Sequence, residues 1–225
     1  MHNPRALCQW VRYLCAALLS ATATLSQAAA LSSIVTDTEG KPAEDAVVSL
    51  VPTAPGTPAP SAEQPRAVMD QQGKQFIPYV LPVRVGTKVF FPNRDNIKHH
   101  VYSFSRAKRF ELKLYSSGTA EPVIFDKPGV VVLGCNIHDW MLAYIYVVET
   151  PYFAKTDAQG RLTITNVPPG EYRATAWHPL HQGKLSTNEQ TVTLRTTDTV
   201  QLNFAIPLKH VWRNRMPHEF DQGAY

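Results

Sequence analysis

Apolar residues in this chain come in short runs, and each run is cut within a few residues by Pro, Gly, Asn or Asp. Eighteen prolines are spread over 225 residues. Proline breaks helix interiors and is tolerated in turns and at strand edges, so long helices have little room to form. Several runs alternate apolar and polar side chains, the period of a strand with one buried face. Residues 33–36, 46–50, 76–85, 87–91, 100–104, 130–133, 142–148, 162–165, 172–177, 190–194 and 199–205 read as strands. Short strands at such spacing predict an all-β antiparallel sandwich. The length allows one large domain or two small ones, and 44% hydrophobic with 18% charged residues is ordinary for a globular chain.

The N-terminus has a different character. Arg5 and Arg12 are followed by an apolar or small stretch over residues 13–25, and Gln27-Ala28-Ala29-Ala30-Leu31 offers a small-x-small cleavage site. Residues 1–30 therefore read as a secretory signal peptide, which implies a periplasmic destination. The rival reading is an uncleaved anchor, but the apolar run is short and broken by Ser and Thr. No other segment is long and apolar enough to span a bilayer, so no membrane span is expected in the mature chain. Of the formal charge of +4, two units belong to Arg5 and Arg12, which leaves +2 for the remainder. With no Lys/Arg run, that excludes a nucleic-acid partner. A weakly basic face suits an acidic protein partner instead. Residues 53–65, rich in Pro, Ala, Ser and Thr, read as a linker, and residues 207–225 as a loose tail.

Cys8 and Cys15 leave with the leader, so Cys135 is the one thiol of the mature chain. A lone thiol in an oxidising compartment is buried and inert, paired with another chain, or occupied by something. Its surroundings decide what to test: Gly134-Cys135-Asn136-Ile137-His138-Asp139-Trp140-Met141 is Cys-x2-His-x2-Met. A three-residue stride round a tight turn lets thiolate, imidazole and thioether converge, and two soft sulfur donors select copper. The segment 90–101 supplies a fourth candidate in His99 or His100, where a turn enters a strand. Two His, one Cys and a weak axial Met make the donor set of a blue-copper electron-transfer site. Zinc is the rival metal, although it favours Cys and His without thioether. A Cys–His nucleophile would need an orienting third group that the sequence does not display. Trp140, Phe91 and Tyr144 read as packing. His178 and His181 form a spacing that a second metal could use but that solvated loop histidines also show; His210 and His218 carry no signal.

Residues 66–148 resemble the cupredoxins, and the short ligand loop looks most like their amicyanin and pseudoazurin end. The likeness rests on Gln75-Phe76-Ile77-Pro78, Val83-Arg84-Val85-Gly86-Thr87-Lys88-Val89, the Asn93-Arg94-Asp95 turn, Phe125-Asp126-Lys127-Pro128-Gly129 and the Cys135/His138/Met141 loop. It implies a Greek-key β-sandwich over residues 66–150 holding one type 1 copper. It also implies a single-electron carrier that is not an enzyme and works with a redox protein partner. Exported proteins of this kind are often labelled methylamine-utilisation proteins, a label of resemblance that does not fix a pathway. The metal set implied is His99, Cys135, His138 and Met141. His100 falls where the family usually has Asn, which makes it the alternative to His99 and removes a hydrogen bond that usually ties the two ligand loops. Asp139-Trp140 replaces the commoner Pro-containing pair, so a bulkier, more acidic rim is expected.

The flanks have a resemblance of their own. The stretch from Ile34 to Pro42, with Ala46-Val47-Val48-Ser49-Leu50, resembles the opening of a carboxypeptidase regulatory-like, transthyretin-type sandwich. Thr156-Asp157-Ala158-Gln159-Gly160-Arg161-Leu162 and Val167-Pro168-Pro169-Gly170-Glu171-Tyr172 resemble its remainder. The expectation is a cupredoxin inserted in, or packed beside, a second small β-sandwich made of residues 31–60 and 151–206, with a docking or spacing role. One enlarged sandwich is the alternative. Two other functions stay open: copper delivery without a redox role, which four methionines in the whole chain disfavour, and a carbohydrate- or protein-binding sandwich with a vestigial metal site.

Overall fold

The computed structural model describes residues 28–54, 64–183 and 188–209. The expected leader and tail therefore lie mostly outside the described residues. Every strand-like run expected from the sequence overlaps one or two strands, and the described residues are all-β. No helix among the described residues is long and apolar enough to cross a membrane.

In chain order the strands begin with β1 (Ala29–Asp37), β2 (Val47–Pro52), β3 (Arg66–Val68), β4 (Asp70–Gln71), β5 (Phe76–Ile77), β6 (Val80–Arg84) and β7 (Thr87–Phe90). They continue with β8 (Pro92–Asn93), β9 (His99–Phe104), β10 (Arg109–Tyr115), β11 (Gly118–Thr119), β12 (Val123–Phe125), β13 (Gly129–Cys135) and β14 (Leu142–Val148). The last are β15 (Phe153–Lys155), β16 (Arg161–Val167), β17 (Gly170–Trp177), β18 (Glu189–Leu194), β19 (Thr199–Gln201) and β20 (Phe204–Ile206).

The hydrogen-bonded sheets sort these strands into two sets. Strands β1, β16, β19 and β20 form one sheet and β15-β2-β17-β18 another, so strands from both ends of the chain pair with each other. Between these two sheets lies a core of Leu31, Val35, Leu50, Ile164, Tyr172 and Phe204 among others, all buried. The middle of the chain forms the five-stranded sheet β10-β9-β13-β14-β6 and two smaller sheets, β11-β8-β4-β5 and β12-β7-β3. Their core includes Met69, Phe91, Val101, Phe125, Leu133 and Ile145. Among the described residues no strand pairing joins the two sets.

What joins them is aromatic packing. Trp177, Val47 and Val80 are buried against Tyr79, Val130, Tyr144, Tyr146 and Phe153. Tyr144 makes edge contacts with both Tyr79 and Trp177. Because β14 alternates, Ala143, Ile145 and Val147 fill the central core while Tyr144 and Tyr146 face the second set.

Several boundaries differ from the sequence reading. β1 begins at Ala29, inside the segment expected to be the leader, and Ala30 N–H donates to Asp198 O at 2.9 Å. The run 76–85 is two strands, because Pro78 has no N–H with which to continue the ladder. The run 199–205 is also two strands, and Asn203 between them accepts Ile34 N–H at 3.0 Å through its side-chain oxygen. β10 was not expected at all. Its charged residues alternate with half-exposed apolar ones, so it lacks a clean buried face.

Candidate metal centre

The site is built by strand parity and one turn. In β9 the residues alternate, so His99, Val101 and Ser103 point inward, at 0%, 0% and 1% exposure, while Phe104 is 75% exposed. In β13 the inward residues are Val131, Leu133 and Cys135. β9 and β13 pair with Cys135 opposite Val101, so the thiol and the His99 ring share one face of one sheet. After Cys135 the chain turns tightly, and Met141 N–H donates to His138 O at 2.9 Å.

Three donors converge there. Cys135 Sγ lies 3.9 Å from His99 Nδ1 and 3.8 Å from His138 Nδ1, and the three donor atoms are all within 4.8 Å of one another. With bond lengths of about 2.3 Å to sulfur and about 2.0–2.1 Å to nitrogen, a trigonal first-row ion holds S and N about 3.8 Å apart. The residues therefore fit a small metal ion. Among the described residues no other group of three or more His, Cys, Asp or Glu donors comes together in this way.

His100 goes elsewhere. It lies on the opposite face of β9 and its Nε2 pairs with Glu111 Oε1 at 2.9 Å. The parity of the strand, read against the apolar Val101, is the sequence signal that separates the two histidines. Met141 is buried at 2% in the central core, three residues beyond His138. His178 does not face a metal partner: its Nε2 bonds Glu44 O at 3.0 Å and its Nδ1 accepts Leu180 N–H at 3.1 Å.

The surrounding polar groups fix the imidazoles. Asp95 Oδ2 bonds His99 Nε2 at 2.7 Å, leaving Nδ1 as the nitrogen that faces Cys135. The Asp95 carboxyl is itself held by Gly73 N–H at 2.7 Å and Lys74 N–H at 2.9 Å. Burial pushes its pKa up, but these N–H groups and the His99 hydrogen bond outweigh that and hold it below the usual carboxylate value. The His138 pKa is lowered as well, which for a base favours the neutral form. Burial lowers its pKa, the nearby His99 and Lys74 add to the effect, and Asp95 opposes it. A neutral imidazole is the form that binds metal.

Trp140 was expected to serve as rim packing. Its ring does lie 5.3 Å from that of His138, but its Nε1–H also donates to Lys74 O at 3.2 Å. Neither Asp95 nor the 72–75 turn was expected to act on the site: Asp95 is only four residues from His99, but it meets Gly73 and Lys74 across 22 and 21 residues, and Trp140 meets Lys74 across 66.

A family model described as "Polysaccharide lyase family 4, domain II" matches residues 129–202. That span takes in β13 and β14 together with β15–β19, so it crosses both strand sets. The family matched is thus not the carboxypeptidase regulatory-like module that the flanking turns resemble. No curated protein matches the chain. Solved cupredoxin structures are similar over part of it. A copper-containing nitrite reductase from Thermus scotoductus is 27% identical with a TM-score of 0.36. The match covers 44% of this chain but only 26% of the reductase. The reduced Cu(I) form of an amicyanin variant is 21% identical over 45% of this chain and 98% of its own, with a TM-score of 0.34. A purple cupredoxin from Nitrosopumilus maritimus is 20% identical over 37% of this chain and 99% of its own, with a TM-score of 0.28.

Proposed function

We propose that this chain is an exported copper-binding protein that carries single electrons in the periplasm. His99 Nδ1, Cys135 Sγ and His138 Nδ1 hold one copper ion, and the Met141 thioether is a weak fourth donor. The observation that carries the reading is the convergence of these three donor atoms, from β9, from the end of β13 and from the turn that follows it, within 4.8 Å of one another.

Bound copper supplies a one-electron couple, and this mixture of thiolate and imidazole suits both of its oxidation states. The protein's own residues do the rest. Cys135, 4% exposed, and His99, fully buried, keep water from the donors. His138 is half-buried beside Ile137, which is 47% exposed, so an apolar edge at that side chain is where a redox protein partner docks. Residues 66–150 form the metal-carrying unit. Residues 31–60 with 151–206 form the host sandwich, which spaces or docks it, and the segment ahead of β1, within the residues 1–30 expected as a leader, directs export.

Cu(II) titration of the purified mature protein tests this. An intense thiolate-to-copper band that bleaches on reduction and is absent in Cys135→Ala is the expected result. Copper binding with no such band, or a band that survives Cys135→Ala, contradicts electron carriage at this site.

A further inference from the structure

The two halves of the candidate metal centre meet at one tight turn that contributes no donor atom. Gln72 and Gln75 close it with reciprocal backbone hydrogen bonds of 3.1 and 3.2 Å. Its central residues, Gly73 and Lys74, both have positive φ, at 61° and 55°. That is the geometry of a type I′ hairpin, which joins β4 to β5 and turns both central N–H groups outward. Lys74 adopts it without the freedom of glycine, so the surrounding contacts must hold it there.

Those contacts lead to both imidazoles. On one side the two N–H groups grip the Asp95 carboxylate, one oxygen each, and Asp95 Oδ2 takes the His99 Nε2–H at 2.7 Å. On the other side the Lys74 carbonyl accepts the Trp140 indole N–H at 3.2 Å, two residues past His138. The Asp95 loop is fixed independently. Asn93 Oδ1 accepts Asp95 N–H at 3.0 Å, and Asn93 Nδ2 donates to Ile97 O at 2.8 Å and Tyr115 O at 3.1 Å. Arg94 N–H donates to Gln71 O at 2.9 Å, beside the turn.

We propose that the Gly73–Lys74 turn is the clamp that positions the metal centre, with Asp95 and Trp140 as the positioning residues that pass its geometry to His99 and His138. The clamp rests on the copper reading for its consequence, and on hydrogen bonds alone for its existence. Asp95 keeps His99 in the Nε2–H tautomer, so that Nδ1 presents its lone pair towards Cys135. An imidazole hydrogen-bonded to a carboxylate is the stronger donor to a metal, which favours Cu(II) over Cu(I). Removal of such an outer partner commonly lowers metal affinity by about 10–100-fold.

The test uses Asp95→Asn, Trp140→Phe and the double variant of the full mature chain, with thermal melting of the metal-free forms as a folding control. In the metal-free wild type, long-range 15N–1H spectra of the imidazoles show His99 as the Nε2–H tautomer, and Asp95→Asn converts it to a mixture. On copper loading, Asp95→Asn lowers Cu(II) affinity by about tenfold or more and raises the reduction potential. Trp140→Phe changes the Cu(II) electron paramagnetic resonance parameters, and the effects of the two changes on affinity are not additive, because both act through one turn. A His99 tautomer unmoved by Asp95→Asn, or folded variants with wild-type affinity, potential and spectra, overturns the clamp. If Asp95→Asn does not fold, Trp140→Phe decides: a wild-type spectrum in that variant overturns the clamp as well. A wild type without the thiolate-to-copper band refutes the copper reading and leaves the tautomer result to judge the clamp.

Discussion

The ring of Tyr146 stacks on that of Trp177, with centroids 4.4 Å apart and planes inclined by 20°. Tyr146 belongs to β14 of the five-stranded sheet, whereas Trp177 closes β17 of the sandwich built from the chain ends. The contact sits at the centre of the apolar seam between the two strand sets. Trp177→Ala should cost about 3–5 kcal/mol of stability, as truncation of a buried aromatic does. It should leave Cu(II) affinity as it is, since the indole is outside the metal centre. Guanidinium unfolding with copper titration of the same samples checks this; a loss below about 1 kcal/mol would mean that the seam does not hold the sets together.

Tyr146 also gives the seam an alkaline limit. Burial raises its phenol pKa above the ordinary value of 10.0, with Glu149 adding to the effect. The unfolded chain ionises first, so this contribution to stability is complete below about pH 10 and is lost as pH rises through the folded-state value. Tyr146→Phe should therefore flatten the fall in stability above pH 10. Parallel curves for the two proteins, measured by denaturant unfolding at stepped pH, would contradict it.

A side chain at Gly134, next to Cys135, would have to displace the end of the Tyr102 ring. A Cβ there would stand 2.7 Å from both Cζ and Oη of Tyr102, which β13 pairs opposite Gly134. Gly134→Ala should destabilise by about 1–3 kcal/mol through overpacking. Tyr102→Ala in the same chain should recover part of that. A double-mutant cycle on unfolding free energies measures the coupling, and strict additivity would contradict it.

Two turns of the same pattern should respond differently. Gly40 and Gly160 both have positive φ and follow an aspartate by three residues, at Asp37 and Asp157. A Cβ on Gly40 meets nothing within 4 Å, whereas one on Gly160 would lie 2.4 Å from the backbone oxygen of Val35. Gly40→Ala should cost about 1 kcal/mol, from backbone strain alone. Gly160→Ala should cost clearly more, because Val35 O cannot retreat without breaking its bond from Ala43 N–H at 2.9 Å. Equal melting temperatures for the two variants would contradict the clash.

The start of β1 bears on where the proposed leader would be cut. Ala29 is buried and paired with Val167, and Ala30 is paired with Thr199. Removal of a leader should therefore fall before Ala29, leaving the strand whole. Intact mass of the exported protein reads this directly, and a mature chain beginning at Leu31 would contradict it.

Much of this arrangement was legible because it is local. Alternation marks the buried faces of β1, β13 and β14, and the Cys135, His138 and Met141 stride lies within one turn. That His99, and not His100, shares a face with Cys135 was legible too, had strand parity been read from Val101. β10 alternates as well, Arg109-Phe110-Glu111-Leu112-Lys113-Leu114, and could have been read by the same pattern. The roles of Asp95 and Trp140 were hidden. Their hydrogen bonds reach Gly73 and Lys74 across 22, 21 and 66 residues, and no local pattern encodes which loop a carboxylate or an indole will meet.

X-ray absorption at the copper edge of the loaded wild type tests the central claim most directly, because it reports the atoms bound to the metal. The expected spectrum contains one short copper–sulfur path and two imidazoles, and the short path disappears in Cys135→Ser. A first shell of nitrogen and oxygen alone, unchanged by that substitution, would contradict the account.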